Sequence, residues 1–501
     1  MSQVRDDGEL AGLDGQRAVV VGLGVTGQSV VTVLASRGVS VTAVDSRDDA
    51  DRQDLAERLG KDGVQVRLGP DVLGPDARLP ADVGLVVTSP GLRPDTPLLA
   101  AALAAGTEVI GDVELAWRLR PAIGAGRRQQ WLGVTGTNGK TTTVRMLAAM
   151  LAAAGHRSVA AGNVGVPILA VVTDPQPYPV VAVELSSFQL YWSTTIAPLA
   201  GVVLNLAAHH LDWHDDLESY AAAKARIFAP GTIAVCNADD PRTVAMADAA
   251  LARPKASAGL AGRGPVARKV MFRLGRPGPG VLGVADDWLV DRAFSADDAD
   301  GVRMAAVGDV RPTAPHNVAD ALAAAALARA YGDPPGSVAA GLAAFVPEPH
   351  RIALVAELAG VAFVDDSKAS NPAAAAASLA AFPTIVWIAG GLFRGSDEDL
   401  DALVAAAAAR LRAVVLIGSD AARFARALTR HAPDVPVTEL ASTDTGVMDL
   451  ATAQAAEVAR PGDTVLLAPA AQSWDMFRDY GARGDAFAAA VRRLADYPDR
   501  R

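Results

Sequence analysis

The sequence predicts an α/β protein of three domains, each built on an open, largely parallel sheet with helices between the strands. Three observations predict it. Short apolar runs such as Ala18–Val21, Trp131–Val134 and Val361–Val364 alternate with segments whose apolar residues recur at helical spacing. Two of these runs pass straight into glycine-rich turns that open a helix, Gly22–Gly27 (GLGVTG) and Gly133–Thr143 (GVTGTNGKTTT). A chain of 501 residues also holds about three domains by length. The expected domains are 1–118, 119–347 and 348–501.

In the first domain, Ala18–Val21 reads as a buried strand, GLGVTG opens a helix to about Ala35, and Gly38 ends it. Val39–Val44 returns as a strand ending in Asp45, and Val83–Thr88 is a third, closed by Ser89-Pro90-Gly91. Gly22-x-Gly24-x-x-Gly27 with Asp45 has the form of a dinucleotide fingerprint, Asp45 accepting from a ribose hydroxyl. The same turn would hold any nucleotide-like or anionic ligand at a helix N-terminus, or serve strand–helix packing alone.

The second domain takes strands at Trp131–Val134, Val180–Val183, Gly201–Leu204 and Ile233–Cys236, then loops and hairpins over 253–300 and a helix over 317–330. Gly136–Thr142 is the phosphate-binding loop. Gly136 and Gly139 let backbone N–H groups close on phosphate oxygens, Lys140 reaches the outer phosphates and the Thr141 hydroxyl ligates Mg²⁺. Val134 stands where the usual pattern has its first glycine.

Glu184 follows the next strand, where a carboxylate holds Mg²⁺, while Ser186 and Ser187 could instead cap a short helix. The loop Asn205–Asp215 gathers His209, His210 and His214 beside Asp212 and Asp215. Without Cys or an H-E-x-x-H pair, Mg²⁺ suits it better than zinc; a solvated loop is the alternative for His214. Tyr220, Lys224 and Phe228 share a helix face, so Lys224 is either a partly buried amine of depressed pKa or a snorkelling lysine.

The third domain takes strands at Val361–Val364, Thr384–Ile388, Ala413–Ile417 and Thr464–Leu467. Asp365–Asn371, Gly390–Gly395 and Ala468–Trp474 each follow a strand, at the ligand edge of an open sheet.

A net charge of −10 argues against a broad nucleic-acid footprint. Cys236 is the only cysteine, which rules out an intramolecular disulfide and a C-x-x-C metal site. No 18-residue apolar span and no secretory leader are seen, so a cytoplasmic protein without an integral membrane segment is expected. Only six lysines occur, which makes each a mild functional pointer in an arginine-rich chain.

In this order, the motifs GLGVTG with Asp45-Ser-Arg47, Ser89-Pro-Gly91, Gly111-Asp-Val-Glu-Leu115, GTNGKTT, Gly162-Asn-Val-Gly165, ELSSFQL, His210-Leu-Asp212, Asn237-Ala-Asp-Asp240, His350-Arg351, DDSKAS and Arg483-Gly484 resemble the Mur ligases. The resemblance spans about 17–490, and GLGxTG with ELSSFQL points to the D-glutamate-adding branch. It implies an N-terminal Rossmann-like UDP-binding domain, a central P-loop-type ATPase domain and a C-terminal Rossmann-like domain that binds the incoming amino acid. It also implies an ATP-dependent ligase that joins D-glutamate to UDP-N-acetylmuramoyl-L-alanine through an acyl phosphate, in peptidoglycan precursor synthesis.

The resemblance moves the first turn from NAD to UDP, with Val25, Thr26, Asp45, Arg47 and Ser89 around the nucleotide and Asn163 orienting the sugar. ATP would lie on Gly136, Thr137, Asn138, Gly139, Lys140, Thr141 and Thr142, with Asn317, Arg351 and Asp366 contributing. Thr141 and Glu184 would hold one Mg²⁺; His210 and a carbamylated Lys224 would hold a second. Lys368, Arg394, Ser473 and Tyr480 would meet D-glutamate. A monomer is expected. Three positions depart from the family pattern: His209 for Asp, Asp320 for Asn and Arg394 for Lys. A sister ligase, a folylpolyglutamate synthase, an NAD-dependent oxidoreductase and a non-catalytic nucleotide-binding protein are the competing readings.

Overall fold

The computed structural model describes residues 16–124, 126–253, 268–295, 300–347, 349–440 and 444–496. Part of the loop stretch expected over 253–300, and the chain end expected to fray at Pro498–Arg501, lie outside them. The chain forms two compact units. One runs to Asp309 and takes in Val318–Phe345; the other comprises Val310–Asn317 and the chain from Val346.

The first unit carries two sheets. The first sheet is all parallel: β1 (Arg17–Val21), β2 (Ser40–Asp45), β3 (Gln65–Leu68), β4 (Val83–Thr88) and β5 (Glu108–Gly111), in the order β3-β2-β1-β4-β5. Strand order reverses at β1/β4, so the turns after these two strands flank the crevice where an open sheet binds ligands. Four of the five β1 residues are buried, which is why the strand reads as a continuous apolar run. Gly27 has a packing reason to be glycine: a Cβ there would lie 1.8 Å from the Gly22 carbonyl oxygen.

The second sheet has nine strands: β6 (Gln130–Thr135), β7 (Ala160–Gly162), β8 (Val180–Glu184), β9 (Ala200–Val203), β10 (Ile233–Asn237), β11 (Lys269–Phe272), β12 (Val281–Ala285), β13 (Trp288–Asp291) and β14 (Val302–Ala306). Their order is β14-β13-β12-β11-β10-β9-β6-β8-β7. The β12–β13 and β13–β14 pairs are antiparallel, so the expected parallel sheet ends in a meander at one edge. Glu114, fully buried on helix Asp112–Arg118, accepts from the Thr194 and Thr195 backbone amides at 3.0 Å and from Arg118 at 2.9 Å. It ties the first sheet's last helix to the second sheet.

The second unit is one six-stranded sheet: β15 (Ala353–Leu358), β16 (Val361–Asp365), β17 (Ile385–Gly390), β18 (Leu411–Ile417), β19 (Val437–Glu439) and β20 (Thr464–Leu467), in the order β15-β16-β20-β17-β18-β19. Only β15 is antiparallel. Both faces are covered by apolar clusters, one around Trp387, Phe424 and Leu400, the other around Phe363, Phe487 and Val491. Among the described residues, no helix is long and apolar enough to cross a membrane.

Candidate active site

The phosphate loop leaves β6 and enters the helix Lys140–Ala153. Gly139 caps that helix at φ +83°, a left-handed conformation that disfavours any side chain, and a Cβ there would meet Asp320 Oδ1 at 2.3 Å. Lys140 Nζ donates to the Gly136 and Thr137 carbonyls at 3.0 and 2.9 Å. Asn138 N donates to Asn205 Oδ1 at 2.9 Å, and Thr137 Oγ1 lies 3.3 Å from the Tyr220 hydroxyl, so β9 and the Lys224 helix brace the loop.

Glu184 ends β8 beside it. Its carboxylate accepts from Thr141 Oγ1 at 2.9 Å and from Asn163 Nδ2 at 3.0 Å. Thr141 and Glu184 are both buried. One carboxylate therefore joins the phosphate loop to the Gly162–Gly165 turn. The capping expected of Ser186 also holds: it caps the helix Ser187–Tyr191, with Gln189 closing the box.

Lys224 sits on the helix Leu217–Ala225; Phe228 lies beyond the helix end. The lysine does not snorkel. It is 1 % exposed, donates to the Gly136 carbonyl at 2.9 Å and to Thr135 Oγ1 at 3.3 Å, and packs 4.5 Å from the Tyr220 ring centre. Burial, and secondarily the charge of Lys140, lower its pKa well below the ordinary lysine value, against the opposing pull of Glu184. The shift makes the neutral, nucleophilic form of the amine easier to reach.

His210 adopts φ +57° at the start of the helix Leu211–His214, its ring 4.8 Å from Phe188 and 3.8 Å from His209. Burial lowers the pKa of His209 to about 3 and of His214 to about 4, and lowers that of His210; Lys224 adds to the depression at all three, and Lys140 at His209 and His210. His209 and His214 are neutral imidazoles near pH 7, and His210 is shifted in the same direction. His214 is buried, 2.9 Å from Ser187 Oγ, and is no part of a solvated loop.

A cleft of about 270 Å³ is lined by Asn163, the residue that donates to Glu184. Its wall includes Val25 and Thr26 of the first glycine turn, Asn163 of the Gly162–Gly165 turn, and Asp112 and Gln189, which sequence reasoning did not single out. Both lay inside quoted motifs, Gly111–Leu115 and ELSSFQL; nothing in their local pattern distinguishes a cleft-facing side chain from a capping one. Asp45, Arg47 and Ser89 are not among the lining residues. Asp45 is buried and engaged by the Leu23 and Arg47 backbone amides at 2.6 and 2.9 Å and by Arg52 at 3.3 Å; Arg47 pairs with Asp49 at 2.6 Å; Ser89 Oγ donates to the Gly22 carbonyl at 3.3 Å. These three shape the turn around the cleft.

The second unit brings Lys368 and Tyr480 together, the ammonium 5.1 Å from the ring centre. Ser473 is buried, and the Leu392–Gln472 bridge holds the Ala468–Trp474 loop against the loop of the exposed Arg394. Asp366 accepts from Ser378 Oγ; burial pushes its pKa up to about 6, opposed by that bond and by Arg351. Asn317 Nδ2 donates to the Pro312 carbonyl at 3.0 Å.

Among the described residues, no group of three or more His, Cys, Asp or Glu could hold a metal by itself. The Thr141–Glu184 pair offers one hydroxyl and one carboxylate. Those oxygen donors suit Mg²⁺, which binds through one or two carboxylates together with substrate phosphates and water.

Comparisons with known proteins agree with this architecture. Residues 134–269 match the Mur ligase middle domain, 16–111 the MurD-like N-terminal domain and 350–471 the Mur ligase glutamate ligase domain. The UDP-N-acetylmuramoylalanine–D-glutamate ligase of Thermobifida fusca is 53 % identical over 96 % of this chain and 99 % of its own. The enzyme of the same name from Streptomyces coelicolor is 51 % identical over 96 % and 98 %. The crystal structure of the UDP-N-acetylmuramate-alanine ligase MurC of Thermotoga maritima shares the fold, with a TM-score of 0.54 at 17 % identity over 96 % of this chain and 99 % of that one. The chain belongs to the Mur ligase family.

Proposed function

We propose that this protein joins D-glutamate to UDP-N-acetylmuramoyl-L-alanine at the expense of ATP, a step of peptidoglycan precursor synthesis in the cytoplasm. Relatives about half identical over nearly the whole chain carry that activity in their names. The observation that carries the reading is the shared Glu184 carboxylate, which accepts from Thr141 of the phosphate loop and from Asn163 of the cleft. A phosphoryl donor on the loop and a second substrate in the cleft would then lie on either side of one anionic group.

The chemistry runs in two displacements. The L-alanyl carboxylate attacks the γ-phosphorus of ATP, and ADP leaves to give an acyl phosphate. The amine of D-glutamate then attacks the acyl carbon, losing a proton as the amide forms and phosphate departs. The loop amides and Lys140 hold the phosphates and offset the charge that develops on the transferring group. Thr141 and Glu184 would hold one Mg²⁺, and His210 with Lys224 a second; bound there, the metal neutralises phosphate charge. For Lys224 this requires carbamylation: its neutral amine adds to CO₂, releases one proton and becomes an anionic oxygen ligand. The depressed lysine pKa supports that step. Lys368, Arg394, Ser473 and Tyr480 supply cationic and hydroxyl groups for a dicarboxylic amino acid, and Asn317, Arg351 and Asp366 are assigned to the nucleotide.

The test is phosphate release from ATP with UDP-N-acetylmuramoyl-L-alanine and a panel of D- and L-amino acids. Release that needs both the UDP substrate and D-glutamate is expected. Release with a different amino acid would move the chain to a sister ligase; none with any acceptor would refute the reading. A carbamate signal at Lys224 after ¹³C-bicarbonate labelling checks the second metal site.

A further inference from the structure

We propose that Asp112 is a substrate-binding residue, its carboxyl accepting a hydrogen bond from an amide N–H or hydroxyl on the sugar-peptide half of the UDP substrate; this rests on the function proposed above. The contrast with Glu114, two residues along the same helix, carries the argument. Glu114 is fully buried, and its carboxylate is saturated by Arg118, Thr194 and Thr195. Asp112 is 6 % exposed, yet its Oδ1 has no hydrogen-bond partner. A buried polar oxygen left unmatched within the protein costs free energy unless something else supplies a donor.

Asp112 lines the cleft bounded by Thr26, Asn163 and Gln189, so a ligand seated there meets this side chain. Opposing influences act on the Asp112 carboxyl. The Val113 backbone amide and the Gln189 side chain both favour its ionised form, against burial, which pushes its pKa up to about 6. Gln189 is itself fixed, its Oε1 accepting from Ser186 N at 3.0 Å and its backbone N–H donating to Ser186 Oγ at 3.1 Å.

The chemistry of the donor narrows the ligand. A diphosphate offers only acceptors and negative charge, which a carboxyl repels. An N-acetylated sugar bearing a lactoyl-alanyl arm offers amide N–H groups and a hydroxyl. The cleft also meets Asn163, whose amide reaches Glu184 beside the phosphate loop, so a ligand lying along it would run from Asp112 toward the reacting carboxylate.

The experiment compares wild-type protein with Asp112→Ala and Asp112→Asn. It reads calorimetric binding of UDP-N-acetylmuramoyl-L-alanine and of UDP alone, and the KM of each of the three substrates. We expect Asp112→Ala to weaken the sugar nucleotide about 10- to 100-fold, the range of a lost hydrogen bond to a charged group. UDP affinity and the KM values for ATP and D-glutamate stay within about twofold. Asp112→Asn, whose carbonyl still accepts, recovers most of the loss. Should the alanine variant fail to fold, Asp112→Ser keeps a polar atom on a shorter side chain that no longer reaches the Oδ1 position and is expected to show the same selective loss. Unchanged sugar-nucleotide affinity, or equal weakening of UDP, overturns the proposal. Absence of any UDP-substrate-dependent phosphate release by the wild-type protein is read first; it refutes the ligase reading and this proposal with it.

Discussion

Replacing Lys224 by methionine separates what this buried amine does for stability from what it does for turnover. The substitution keeps the length of an unbranched chain and removes two hydrogen bonds, to the Gly136 carbonyl at 2.9 Å and to Thr135 Oγ1 at 3.3 Å. Each is worth about 1 kcal/mol net. The Gly136 carbonyl is not orphaned, because Lys140 Nζ also donates to it at 3.0 Å. Against the loss stands relief from burying an amine at 1 % exposure. The two effects nearly cancel, so Lys224→Met should change the unfolding free energy at neutral pH by no more than about 2 kcal/mol.

The pH dependence follows from the direction of the shift. The folded-state pKa is depressed below 10.5, so between those two values the unfolded chain binds more protons than the native one. Wild-type stability relative to the variant therefore rises with pH across that window, by up to about 1.4 kcal/mol per pH unit, and levels off above it. Urea unfolding in carbonate-depleted buffer from pH 7 to 10 measures this. Phosphate release in bicarbonate-containing buffer should fall at least about 100-fold in the variant, the scale of losing one preorganised charge-stabilising group. A variant retaining more than a tenth of wild-type turnover, or a stability difference that does not change with pH, would refute the assignment of Lys224 as a neutral, chemically active amine.

Gly139→Ala should raise the KM for ATP at least about tenfold: a left-handed alanine costs about 1–2 kcal/mol, and its Cβ, at 2.3 Å, would push Asp320 off the phosphate loop. Glu184→Gln should lower kcat by about 10²–10³ with a higher Mg²⁺ requirement, because a neutral amide cannot accept from both Thr141 and Asn163 as the carboxylate does; an unaltered Mg²⁺ titration would count against Glu184 as a metal ligand. Glu114→Ala should cost about 2–5 kcal/mol in urea unfolding, since it leaves two backbone amides unmatched while Arg118 keeps only its pair with Glu108 at 2.7 Å, and activity per folded molecule persists.

Much of the fold was legible because buried parallel strands announce themselves. Val83–Thr88 and Thr464–Leu467 run as expected, and the other expected core strands lie within one or two residues of their observed ends. The strands that escaped are edge or short ones, such as Gln65–Leu68, Ala160–Gly162 and Val437–Glu439. Their residues are only partly buried, so the apolar signal is diluted. At the site, motif spacing located the phosphate loop and Glu184, because a strand end followed by glycine or a carboxylate is a local pattern. Burial is not local. Lys224 read slightly better as a snorkelling residue and His214 about as well as a solvated one, yet both are buried. Asp112 shows the same limit, since its open oxygen depends on which way a buried helix faces.

The histidine loop shows why the first two sheets act as one unit. His210 holds φ +57°, a conformation costing a non-glycine residue about 1–2 kcal/mol, so neighbouring contacts must over-determine it. Its own ring packs on Phe188 and His209, and the residues that follow it are held from the first sheet. Arg93, just past the Ser89-Pro90-Gly91 turn, donates to the Asp212 carbonyl, donates to the Trp213 carbonyl at 3.0 Å and pairs with Asp215 at 3.0 Å. Trp213 Nε1 donates back to the Gly91 carbonyl at 3.0 Å, and Trp192 Nε1 donates to the Leu92 carbonyl at 3.2 Å. The turn that closes β4 is thus pinned to the loop that aims His210. Side chains lying outside both thus tie the β4 turn to the histidine loop, which is the rigidity the proposed reaction between two separately bound substrates would need.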